Sequence, residues 1–143
     1  MQITIKRIDK DLPLPQYHTS GAAAFDFYSR ETLTIEAKTV ARIPSNFIIA
    51  TPTGYFLMVA ARSSLASKKG LMLANGIGII DSDYCGENDE ILISVYNFTD
   101  QPVVVERGER IAQGTFVKIE QGIWEEVEKM TSKDRGGFGS TGM

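Results

Sequence analysis

The run Asn75 to Gly86, NGIGIIDSDYCG, brings two carboxylates and a phenol to the point where an apolar stretch meets a turn. Ile77, Ile79 and Ile80 have the pattern of buried strand residues. Asp81, Ser82 and Asp83 are turn formers that end a strand and leave a carboxylate at its mouth. Asp81 placed there is a candidate general base; a turn aspartate that only bonds nearby amides is the other reading.

Two further segments carry polar chemistry. The tail Arg135 to Gly142, RGGFGSTG, sets four glycines around one phenylalanine. Such a backbone can approach a ligand closely and offer many N–H groups, which suits phosphate; a loose glycine-rich chain end has the same composition. Arg62-Ser63-Ser64-Leu65-Ala66 followed by Ser67-Lys68-Lys69-Gly70 reads as a short helix with a serine N-cap, a basic last turn and a glycine stop. A helix start beside an arginine suits an anion.

In chain order, SGAAAFDF, ARSSLA, NGIGIIDSDYCGE, GERIAQGTF and RGGFGSTG resemble the five motifs of the homotrimeric dUTP pyrophosphatases, or dUTPases, across Ser20 to Gly142. The resemblance implies hydrolysis of dUTP to dUMP and pyrophosphate by water attack at the α-phosphorus, which limits uracil incorporation into DNA. By that similarity Asp81 orients and activates the water. Tyr84 lies against the deoxyribose, where a 2′-hydroxyl would collide with it. Asn75 and the backbone around Gly78 and Ile79 read the uracil edge, a mode of recognition that can discriminate by ~10⁴-fold because a wrong base leaves buried polar groups unpaired.

Arg62, Ser63 and Ser64 match the phosphate-contacting motif, with a capping role open to the serines as well. Gln113 supports the phosphates, or faces solvent as an ordinary strand glutamine. Asp26 matches the aspartate that reaches the metal through water, with Mg2+ carried mainly on the substrate phosphates. Phe138 stacks on uracil as the arm closes, Gly139, Ser140 and Thr141 complete the phosphate contacts, and Arg135 clamps the γ-phosphate.

The chain departs from the family pattern in four places. Arginine is usual two residues upstream of Arg135, where Lys133 stands. Glu87-Asn88-Asp89-Glu90 makes the segment after Gly86 longer and more acidic than is common. Ala24 takes a usual glycine position, and Cys85 replaces a longer polar residue. Two other readings share the architecture: an enzyme like dCTP deaminase, against which Asp81 and Tyr84 argue, and a nucleotide-binding regulatory module without turnover, against which Asp81 argues.

Composition narrows the field. A length of 143 residues with 43% hydrophobic content suits one compact domain. A formal charge of −3 argues against stable binding along a nucleic-acid backbone, so a polyanionic ligand needs a local cationic cluster. Cys85 and His18 are the only residues of their types, which excludes an intrachain disulfide, a Cys/His zinc cage and zinc-deaminase chemistry. No run approaches the ~18 apolar residues of a membrane helix. A cytoplasmic protein without membrane attachment is the expectation.

These residues must be held by short strands. Alternation and turn residues predict strands over 2–8, 24–28, 32–36, 39–43, 47–50, 55–61, 71–74, 77–80, 90–98, 103–106, 110–118 and 123–127. The expected class is all-β, a distorted jelly roll or barrel with one short helix. Residues 1–129 form the β domain, and 130–143, which lack a strand pattern, form a flexible glycine-rich arm that closes over the site. The family assembles its motifs from different chains, so a homotrimer with shared sites is expected.

Overall fold

The computed structural model describes residues 1–137, and Phe138, Gly139, Ser140 and Thr141 lie outside them. The order of elements is β1 (Thr4–Arg7), β2 (Phe25–Tyr28), β3 (Leu33–Ile35), β4 (Val40–Pro44), β5 (Phe47–Ala50) and β6 (Tyr55–Ala61). It continues with α1 (Leu65–Lys69), β7 (Leu71–Leu73), β8 (Gly78–Ile80), β9 (Leu92–Asn97), β10 (Val103–Val105) and β11 (Arg110–Lys118). Every strand pairing is antiparallel: β2-β11-β6-β8, β4-β9-β7, β1-β5 and β3-β10. The expected all-β class is what the chain adopts.

The core follows from the alternation. In β9, Ile93, Val95 and Asn97 face inward while Leu92 is exposed. Phe27, Phe47, Ile43, Leu57, Leu71 and Ile111 are fully buried around them. Asn97 is the polar member of this interior, and its amide is satisfied: Nδ2 donates to Ile35 O, Glu36 O and Gln101 O, while Oδ1 accepts from Thr99 N–H. Burial without such partners would be costly.

Two glycines are required by their surroundings. Gly70 ends α1 with φ 66° and donates its N–H to Ala66 O at 2.9 Å, the left-handed stop that glycine adopts without penalty. A Cβ at Gly114 of β11 would stand 2.6 Å from Phe27 Cε2 and 2.9 Å from Phe25 Cζ, so the close packing of the β2 phenylalanines on β11 depends on its absence.

The strand expected at 123–127 is not formed. Ile123, Trp124 and Val127 are apolar, but among the described residues no strand pairs with this segment, and a lone strand leaves its backbone groups unpaired. Among the described residues, nothing after Lys118 is regular structure. No helix among them is long and apolar enough to cross a membrane.

Candidate active site

The phosphate-type residues converge where β2, β6 and β11 lie side by side. Gln113 of β11 is opposite both Asp26 of β2 and Ala60 of β6, and its Nε2 donates to Ala61 O at 2.9 Å. Arg62 follows immediately on β6, and its Nε lies 3.0 Å from Asp26 Oδ1. Asp26 is 8% exposed. Its second oxygen accepts from Arg110 Nη1 at 3.1 Å, and His18 Nε2 lies 3.1 Å from the same Arg110 nitrogen.

Arg110 was not among the expected site residues, and the reason is a β-bulge. Strict alternation would put positions 110 and 113 on opposite faces. The register shift between Arg110 and Ala112 instead sets Arg110 opposite Tyr28 and Gln113 opposite Asp26. Tyr28 and Asp26 share one face of β2, so the bulge brings Arg110 and Gln113 to the same side.

Ser63 and Ser64 precede α1. Ser64 occupies the N-cap position but makes no side-chain capping bond, contrary to the expected capping role. The first turn is closed by backbone instead, with Leu65 N–H donating to Arg62 O at 3.0 Å. Neither hydroxyl is therefore engaged in capping this helix.

The base-type residues lie on and around the turn that carries the chain from β7 in one sheet to β8 in another. Gly76, with φ 72°, donates to Leu73 O at 3.2 Å and turns the chain. Asn75, Gly78 and Ile79 line a small cleft with Leu73 and Ser94. Gly78 is buried against Val59, whereas Asn75 and Ile79 are exposed. Asp81 leaves the end of β8, is exposed, and accepts the turn-closing bond from Tyr84 N–H at 3.2 Å. Tyr84 Oη donates to Glu90 O at 3.2 Å.

The acidic segment has a structural job at its ends. Asp89 Oδ2 accepts from Gly86 N–H at 2.7 Å, and Glu87 pairs with Lys6 of β1. Glu90 turns inward: its carboxylate accepts from Arg30 Nε at 2.9 Å, Arg30 Nη2 at 3.0 Å and Asn46 N–H at 2.8 Å. The bond to Glu90 raises the Arg30 guanidinium still further above its ordinary value. One end of the Asp81–Tyr84 loop is thereby anchored to the core.

The two groups do not meet within one chain. The β6–β8 ladder pairs Val59 with Gly78 and Leu57 with Ile80. Asp81 thus leaves beside the start of β6 while Arg62 follows its end, roughly 15–20 Å apart at the rise of a strand. Lys133 and Arg135 are exposed in the irregular segment beyond β11.

Among the described residues, no three His, Cys, Asp or Glu side chains cluster as a metal cage. Both Asp26 oxygens face guanidinium groups. A carboxylate so engaged does not suit direct ligation of a magnesium ion.

The dUTPase family model matches residues 10–142. The deoxyuridine 5′-triphosphate nucleotidohydrolase of Dictyoglomus turgidum is 44% identical over 100% of this chain and 99% of its own length. That of Desulfitobacterium hafniense is 45% identical over 100% of this chain and 96% of its own. Among solved structures, the dUTPase from Streptococcus mutans superposes with a TM-score of 0.77 at 34% identity, covering 84% of this chain and 98% of that one. The Staphylococcus bacteriophage 80alpha dUTPase with dUpNHpp gives 0.86 at 26% identity, covering 99% of each chain. With the family model matching residues 10–142 and full-length relatives 44% and 45% identical, the chain belongs to the dUTPase family.

Proposed function

We propose that the protein hydrolyses dUTP to dUMP and pyrophosphate, at sites each assembled from more than one copy of the chain. The observation that carries this reading is the separation of Asp81 from Arg62 along β6. Hydrolysis at an α-phosphorus needs a base and a phosphate ligand on the same few atoms, which one chain does not provide. Ile123 and Trp124, 99% and 97% exposed beyond β11, support assembly with further copies, as does an apolar groove lined by Met1, Ile3, Leu14, Pro15, Tyr17 and Phe116. A homotrimer is the assembly proposed.

In this reading Asp81 accepts the proton of the attacking water. Tyr84, held through its hydroxyl by Glu90 O, forms the wall against the sugar. Asn75 and the backbone at Gly78 and Ile79 receive the uracil edge. From another chain, Arg62, Ser63 and Ser64 take the phosphates, with Gln113 fixing the position of Arg62 through its bond to Ala61 O. Arg135 is the cation proposed for the γ-phosphate, and Phe138, Gly139, Ser140 and Thr141 for closure over the bound nucleotide. Asp26 would hold Mg2+ through water, and the ion's contribution there is to offset negative charge on the phosphates.

The test is product analysis. Purified protein incubated with dUTP, dCTP, dTTP and UTP plus magnesium in heavy-oxygen water should convert dUTP selectively and place the label in dUMP. Label in pyrophosphate would move the attack to the β-phosphorus. Deamination of dCTP would replace the reading altogether.

A further inference from the structure

Asp81 and Tyr84 share a turn but are held from different sheets. Asp81 follows β8, which is paired to β6. Tyr84 is held from the far end of the loop, where its Oη donates to Glu90 O at 3.2 Å. The main chain next to Glu90 is laced to the corner between β4 and β5: Ile91 N–H donates to Phe47 O at 3.0 Å, and Ser45 N–H donates to Ile91 O at 3.1 Å. The Glu90 carboxylate itself accepts Asn46 N–H at 2.8 Å.

Asn46 is the centre of that corner. It is fully buried with φ 74°, a left-handed conformation that asparagine tolerates better than other residues with a side chain. Its Nδ2 donates to Asp9 O at 2.9 Å, its Oδ1 accepts from Asp9 N–H at 2.6 Å, and its O accepts from Ile8 N–H at 3.1 Å. Residues 8 and 9 continue directly from β1, so the corner is fixed to β1 as well as to β5. The acidic segment supplies a second attachment to the same place. Lys6 of β1 pairs with Glu87, and its Nζ also donates to Glu87 O at 3.1 Å. Lys6 lies opposite Ile48 in the β1–β5 ladder. Both attachments that follow Tyr84 therefore lead to one two-stranded sheet. Lys6 and Glu87 are exposed, so their pair adds little to global stability and acts on the loop beside it.

We propose that the β1–β5 sheet is the mount of the sugar wall, with Lys6 and Asn46 as positioning residues that act through Glu87 and Glu90 to set where the Tyr84 ring stands. The strictness with which a 2′-hydroxyl is refused depends on them. The proposal rests on the reading of Tyr84 as the wall against the sugar. Steric refusal requires a wall that does not yield, and a ring gains that stiffness from the residues behind it. Because Asp81 is carried by β8 instead, weakening the mount alters the choice of sugar and leaves the chemical step with dUTP intact.

The test is the ratio of calorimetric affinities for the α,β-imido analogues of dUTP and UTP, with kcat for dUTP measured alongside. It compares wild type, Tyr84→Ala, Lys6→Met, the exchanged pair Lys6→Glu with Glu87→Lys, Asn46→Ala and Asn46→Gly. Lys6→Met should lower the ratio about two- to fivefold, the scale of one exposed ion pair, with kcat for dUTP and the thermal transition unchanged. The exchanged pair should restore it. Asn46→Ala strains the left-handed corner and releases Asp9, and should lower the ratio about tenfold. Asn46→Gly adopts that φ freely, keeps the N–H to Glu90 and should recover part of the loss. A purely structural role would lower the thermal transition of the Asn46 variants and leave the ratio at its wild-type value. An unchanged ratio in Lys6→Met, or in folded Asn46→Ala, overturns the proposal when Tyr84→Ala loses discrimination. A ratio that Tyr84→Ala also leaves unchanged removes the sugar-wall reading, and the proposal with it. Ratios that fall as expected in a protein without dUTP turnover would leave the mount standing and sink the hydrolase reading.

Discussion

Gln113 faces Asp26 across the β2–β11 ladder while bonding Ala61 O on its other side, so one glutamine ties together the three strands that carry the phosphate half of the site. This arrangement depends on β11 lying closely beside β2 in the same sheet. The closeness comes from Gly114, the next residue, whose missing side chain admits Phe25 and Phe27.

Replacing Gly114 by valine should therefore destabilise the fold by about 1–3 kcal/mol, the usual cost of overpacking a well-filled interior. Chemical denaturation measures it. The same experiment should show Gly21→Ala near neutral, since nothing lies within contact of a Cβ there.

Glu90→Gln should lower stability by about 1–3 kcal/mol, because Arg30 loses a charged, doubly bonded partner in a mostly buried setting. It should also loosen the loop that holds Tyr84, read as weaker discrimination of dUTP against UTP. A stability loss with unchanged discrimination would restrict Glu90 to the fold.

The tail assignment is tested by Arg135→Ala and Lys133→Ala, compared with dUTP and dUDP. Loss of the proposed γ-phosphate clamp should impair the triphosphate selectively, by about tenfold, in Arg135→Ala. If Lys133→Ala alone does so, the register of the arm is shifted by two residues. Deleting residues 136–143 should reduce turnover sharply while leaving the thermal transition in place.

Much of this architecture is legible in the sequence. β5, β6 and β11 occupy the intervals that alternation and turn residues predict, and Gly70 stops α1 as a glycine after a basic turn should. What escapes is set by tertiary context. The segment 123–127 reads as a strand, but no strand pairs with it among the described residues. Arg110 escapes because a single bulge reverses the parity on which face assignments rest. The inward turn of Glu90 escapes because its partners, Arg30 and Asn46, are remote in sequence. The capping role read for the serines before α1 fails because Ser64, with φ −94° and ψ −2°, has a helical backbone rather than the extended one from which a side chain caps.

The most direct test of a shared dUTP site is complementation between two variants, each damaged in one half-site. Asp81→Asn retains the phosphate half, and Arg62→Ala retains the base and sugar half; each alone should lose most turnover while still folding. Unfolded together in equal amounts and refolded as mixed trimers, they should recover about a quarter of wild-type activity, since a site drawing Asp81 and Arg62 from different chains is intact in that fraction of random pairings. No recovery in trimers confirmed to contain both variants would mean that Asp81 and Arg62 act within one chain, and would contradict the account.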